Sequence, residues 1–135
     1  MNYAIEEIEG IAAANARKLA KAGVTTTAKL LEVCATPKGR KATAETTGLR
    51  EDQLLKWANH ADLMRVKGIG KQYADLLEAA GVDTVKELRT RNPANLAEAC
   101  KAANAKKTLT RITPAEKLVA RWVAAAKELT PMLKY

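Results

Sequence analysis

A shift of 58 positions lays one stretch of this chain over another. Residues 8–30 fall on 66–88, and nine of the 23 positions are identical: Gly10/Gly68, Ile11/Ile69, Ala16/Ala74, Leu19/Leu77, Ala22/Ala80, Gly23/Gly81, Val24/Val82, Thr26/Thr84 and Leu30/Leu88. The register then slips, but the ends match again. Leu54-Leu55-Lys56-Trp57 answers Val119-Ala120-Arg121-Trp122, with Glu51 answering Glu116. Such self-similarity means that one supersecondary unit is used twice. Two copies are too few for an extended solenoid. The repeat therefore predicts a compact, pseudo-two-fold pair sharing a core, with a first unit at 1–63 and a second at 64–135.

The units read as helical throughout. In the first, residues 3–8 form a short helix, Gly10-Ile11 turns the chain, and residues 13–22 form a helix closed by Gly23. Thr25 or Thr26 caps a helix carrying Leu30, Leu31 and Cys34. Thr36-Pro37 reads as N-cap and first helical residue of the next helix, which runs to Gly48. Leu54, Leu55, Trp57, Ala58 and Ala61 give the helix from Glu51 an apolar stripe. In the second unit, residues 71–80 form a helix closed by Gly81. Asp83 is the expected cap of the helix with Val85 and Leu88, and Asn92-Pro93 opens another. Thr113-Pro114-Ala115-Glu116 predicts an N-cap, an N1 proline and a capping-box Glu for a last helix reaching about 129. Pro37 and Trp57 are 20 residues apart, whereas Pro93 and Trp122 are 29 apart. The extra residues, including Lys106, Lys107 and Arg111, are expected to form a basic loop. No segment alternates like a strand, so the expected class is all-α.

The turn between helices carries the chemistry. In Val66-Lys67-Gly68-Ile69-Gly70-Lys71, two glycines allow a tight turn and close approach of a partner to the backbone. The helix after the turn points free N–H groups, with their positive partial charge, out of it. That corner suits an oxyanion such as phosphate. Its counterpart is Glu9-Gly10-Ile11-Ala12-Ala13, with one glycine fewer and an acid in place of Lys67. The charge is also uneven. The net charge is +8, of which residues 1–64 hold +1 and residues 65–135 hold +7. The basic half is the half with the intact turn, and a basic surface attracts polyanions.

Several classes are set aside. No apolar run is long enough for a membrane span, and residues 1–3 lead straight into an acidic stretch unlike a signal peptide. A soluble, cytoplasmic protein is the expectation. Cys34 and Cys100 lie far apart without a C-x-x-C pair, and His60 is the single histidine, so no metal and no cofactor are expected. The cysteines read as reduced and buried. No nucleophile elbow or P-loop is present, and no enzyme is expected.

Gly68-Ile69-Gly70, Ala74, Leu77, Gly81-Val82 and Thr84 resemble the helix-hairpin-helix domains of DNA repair and recombination proteins. Nearly the whole chain also resembles an uncharacterised bacterial family, a domain of unknown function with two such units. The resemblance implies backbone N–H groups around the hairpin glycines holding a phosphate, with lysines adding charge, in a paired arrangement straddling the minor groove of duplex DNA. Residue by residue it carries over to Gly68, Gly70 and Lys71, with Lys67 beside them. The first hairpin departs from the pattern at Glu9, Ala12 and Ala13, so a structural or protein-contact role is expected there. Helix-hairpin-helix glycosylases place a catalytic Lys or Asp after the motif. Asp75 comes too soon after Gly70 to match it.

The expected nucleic-acid-binding residues are Lys67, Gly68, Ile69, Gly70, Lys71, Lys106 and Lys107. Lys38-Gly39-Arg40-Lys41 reads as a second contact or, more simply, a solvated helix face. Trp57 and Trp122 are expected in the core rather than stacked on bases, and Tyr73 beside them. His60 is given no chemistry. The expected function is non-enzymatic, largely sequence-independent binding of duplex DNA through phosphates. The alternative is a protein-interaction scaffold whose basic face meets an acidic protein.

Overall fold

The computed structural model describes residues 2–135. Eight α-helices come after a 3₁₀ turn at Ile5–Glu7: α1 Ala13–Lys21, α2 Thr27–Cys34, α3 Pro37–Thr47, α4 Glu51–Leu63, α5 Lys71–Ala79, α6 Val85–Leu88, α7 Pro93–Lys106 and α8 Glu116–Lys127. Among the described residues no strand forms, and a single antiparallel bridge joins Ala4 to Thr26. No helix among them is long and apolar enough to cross a membrane.

Local chemistry starts most of these helices where the sequence predicts. Thr26 Oγ1 accepts the Lys29 N–H at 3.2 Å, Thr36 Oγ1 that of Gly39 at 3.1 Å, and Asn92 Oδ1 that of Asn95 at 3.0 Å. Each satisfies one of the donors a helix leaves open at its start. Two starts differ from expectation. Thr84, not Asp83, caps α6, through the Glu87 N–H at 3.2 Å. Thr113 does not cap α8. Pro114 is buried, and Ala115 behind it is extended (φ −69°, ψ 156°), so the helix begins at Glu116 with no side-chain cap. Thr113 stands two residues before the N-cap position, Ala115, too early to cap the first turn.

The basic segment before α8 is also more ordered than expected. α7 continues through Lys106, and Asn104 organises the turn beyond it. Its Oδ1 accepts the N–H groups of Leu109 at 2.7 Å and Thr110 at 3.1 Å, while Nδ2 donates to Thr110 O at 3.1 Å. The Lys38–Lys41 run is not simply a solvated face. Arg40 is 5% exposed and donates to Cys34 O at 3.0 Å and Lys134 O at 2.8 Å.

The two repeated stretches make the same backbone hydrogen bonds. Ile8 N–H to Ile5 O and Ile11 N–H to Ile8 O, both 3.2 Å, recur as Val66 to Leu63 and Ile69 to Val66, both 3.1 Å. Val24 N–H to Leu19 O at 2.9 Å recurs as Val82 to Leu77 at 2.8 Å. Gly10 and Gly68 both have φ +93°. The stretches part at the entry to the next helix. Thr27 N–H reaches Tyr3 O at 2.8 Å, whereas the equivalent Val85 N–H reaches the buried Asp62 carboxylate, also at 2.8 Å.

Within the first stretch of chain α2 packs on α3 and α4, and α1 on α3. Beyond it α7 packs on α8 and α5, α6 packs on α8, and α4 touches α5. Ile5, Leu30, Trp57, Leu63, Ile69, Leu77, Leu88 and Trp122 belong to one continuous hydrophobic cluster. The C-terminal segment returns to the first helices. Lys134 N–H donates to Ala35 O at 2.8 Å, and Tyr135 Oη to Asn59 Oδ1 at 3.1 Å. One hydrophobic cluster running through both halves favours cooperative unfolding. Unfolding in denaturant, followed by far-UV circular dichroism and tryptophan fluorescence, is expected to give one coincident transition. Two resolved transitions would count against the shared core.

Candidate nucleic-acid interface

Ile69 anchors the turn before α5. Its side chain is fully buried, and its N–H is engaged by Val66 O at 3.1 Å. Of the residues expected to bind nucleic acid it is the one whose side chain and N–H both face inward. Its part is to seat the turn. Around it, Lys67, Gly68 and Lys71 are exposed and Gly70 is half-buried.

The two glycines differ physically. Gly68 lies at φ +93°, and a Cβ there would sit 3.3 Å from Trp122 Nε1. The indole of Trp122 is 1% exposed and takes an edge contact from Tyr73, with ring centroids 5.0 Å apart at 60°. Gly10 repeats the arrangement, at φ +93° and 3.3 Å from Trp57 Nε1. Both glycines are thus demanded by the fold. Gly68→Ala is expected to destabilise the protein by about 1–3 kcal/mol, and Gly10→Ala by a similar amount, measured by chemical denaturation.

Gly70 is different. Its backbone is extended (φ −98°, ψ −164°) and places no demand for glycine. A Cβ there would meet nothing within 4 Å. Gly70 precedes α5 and offers no side chain to cap it, so the first turn of α5 keeps its N–H groups clear of side-chain acceptors. The equivalent Ala12 has a similar extended conformation (φ −86°, ψ 174°) but carries a methyl.

The turns before α1 and α5 approach each other. Lys71 Nζ comes within 3.9 Å of Glu9 Oε2, both side chains about half exposed (42% and 52%). An exposed pair of this kind contributes little to stability, so Lys71 can leave Glu9 for a stronger anion. Glu9 nevertheless places a negative charge beside the uncapped turn of α5. Lys106 and Lys107 are exposed at the far end of α7, and no hydrogen bond or ion pair ties them to the hairpin.

Trp57 is 4% exposed and Trp122 1%, in the core as expected. Cys34 and Cys100 are buried, unpaired thiols. Burial pushes the Cys100 thiol up to about 11 and raises that of Cys34, so neither is a ready nucleophile.

Sequence reasoning missed His60. It is fully buried on α4, and its Nε2 lies 2.9 Å from Glu78 Oε2 on α5. Lys56 Nζ is 3.7 Å from the other oxygen of Glu78. The His60 hydrogen bond holds the Glu78 carboxyl below the usual range, against the opposing effect of burial. The spacing of Asp75 and Glu78, one helical turn apart, was the available signal.

An all-helical chain of this kind, with a glycine turn feeding a helix start, has a family. Residues 9–129 match DUF4332, a domain of unknown function, and the chain belongs to that family. No curated protein and no solved structure matches it.

Proposed function

We propose that this protein is a tandem helix-hairpin-helix protein, with units at 1–63 and 64–135, that binds duplex DNA through backbone phosphates at its second hairpin. The observation that carries the reading is Gly70. Neither backbone conformation nor packing requires glycine there, yet a side chain would stand at the open start of α5. A bare backbone beside Lys67 and Lys71 admits a phosphate oxygen to the N–H groups, and the helix dipole favours its charge. The net charge of +7 over residues 65–135 supplies the long-range attraction. Contacts to phosphates position a protein without reading bases, so sequence preference is small. No catalytic group belongs to this reading, which takes the protein to be cytoplasmic.

The test is fluorescence anisotropy with a labelled duplex. A Kd of roughly 10⁻⁴–10⁻⁶ M is expected at physiological salt, tightening steeply as salt falls. Absence of binding at low salt would overturn the reading. Glu9, at the edge of the same surface, would then favour the second one, a scaffold that docks another protein.

A further inference from the structure

We propose that His60, Asp75 and Glu78 form a binding site for a divalent transition-metal ion of the zinc class, bridging α4 and α5 beneath the second hairpin. One ligand-type atom from each residue lies within 4.8 Å of the others. His60 comes from the last turns of α4, and Asp75 and Glu78 from successive turns of α5. A helical spacing of three sets both carboxylates on one face, toward the imidazole.

The distances suit an ion after small adjustments. Zinc–nitrogen and zinc–oxygen bonds of about 2.0–2.2 Å place tetrahedral ligand atoms about 3.4 Å apart. His60 Nε2 and Glu78 Oε2, now 2.9 Å apart, would open by about half an ångström, a small change for a side-chain torsion. Asp75 and Glu78 are only half-buried and can turn inward, while the buried imidazole supplies a fixed point. Three protein ligands leave a fourth position for water. The imidazole selects against calcium and magnesium, which take oxygen ligands in larger number.

Two further observations separate this trio from an ordinary ion pair. The first is charge. Two carboxylates lie close together against one buried imidazole, with Lys56 reaching only Glu78, at 3.7 Å. A divalent ion can take an oxygen from both carboxylates and the imidazole lone pair at once, whereas the present hydrogen bond joins His60 to Glu78 alone. The second is the internal repeat. At the same shift of 58, the first unit has Asn2, Arg17 and Ala20, which form no ligand set. The trio is therefore not demanded by the shared fold. The site stands on different atoms from those proposed to hold phosphate, and its test does not depend on DNA.

Untagged full-length protein, freed of metal with a chelator, is titrated with Co²⁺ and followed by visible absorption. One equivalent is expected to bind and give the intense d–d bands of a low-coordinate site, and Zn²⁺ should displace it and remove them. Asp75→Asn and Glu78→Gln are each expected to weaken Co²⁺ binding at least about tenfold with unchanged far-UV circular dichroism. His60 is left unaltered, so that a folding failure cannot be mistaken for loss of a ligand. A wild-type Kd weaker than about 100 μM, or undiminished binding in either variant, would overturn the site.

Discussion

Gly39→Ala is expected to remove a large part of the protein's stability. Gly39 lies in the first turn of α3, which crosses the end of α2. A Cβ built at this position is driven into the carbonyl oxygen of Val33, well inside contact distance, and within 3.3 Å of Thr36 Oγ1. The obstacle is backbone, which no rotamer change can move. Relief requires α3 to shift away from α2, and that shift disturbs two neighbours. Thr36 loses its capping geometry on the Gly39 N–H. Arg40, buried and joined to Cys34 O and Lys134 O, is pulled from both carbonyls. Overpacking of this kind costs about 3 kcal/mol, and a broken cap adds about 1 kcal/mol. Against a domain stability of about 5–15 kcal/mol, the loss shows as a large fall in denaturation midpoint. A midpoint close to that of the wild type would mean that α2 and α3 do not cross so closely.

Nothing in the sequence marked Gly39 as different from a residue in a basic run. Its constraint arises from another helix, and so do the others that were missed. Arg40 is buried because the C-terminal segment returns over it. His60 meets Glu78 because α4 packs on α5. Glu9 reaches Lys71 because two hairpins far apart in sequence lie together. Side-chain-to-backbone capping, by contrast, is local, and Thr26, Thr36 and Asn92 could be read directly. Thr84 was also legible in principle, since the repeat pairs it with Thr26, although Asp83 is the cap that the sequence suggests. Thr113 does not cap because Pro114 and Ala115 stay outside the helix, which begins at Glu116. The all-helical class was readable because apolar spacing and caps agree along nearly the whole chain. For the hairpin, the sequence marked both glycines alike. Only the backbone angles and the surrounding space show that Gly68 serves the fold while Gly70 leaves a surface bare.

That distinction yields the sharpest test of the proposed interface. Gly70→Val is expected to weaken duplex binding at least tenfold while leaving the fold in place. The position is extended and open, and Ala12 occupies its counterpart in the first unit without strain. A β-branched residue before α5 caps poorly, which limits the stability cost to about 1 kcal/mol. The isopropyl group, however, stands over the first turn of α5, where a phosphate oxygen must approach within about 3 Å of an N–H. Loss of that approach should weaken binding by tenfold or more, about 1.4 kcal/mol. Lys71→Ala should act more mildly, weakening binding and reducing the salt slope by about one unit, as removal of one phosphate contact requires. Glu9→Gln should act in the opposite sense, since it removes the carboxylate 3.9 Å from Lys71 and frees both the lysine and the adjacent field for the anion. The three variants together discriminate between a phosphate pocket and a merely basic surface. A diffuse basic surface responds to the charges at Lys71 and Glu9 but is indifferent to a neutral side chain at Gly70. If Gly70→Val binds duplex as the wild type does, the phosphate does not sit at the start of α5, and the charge alone holds the DNA.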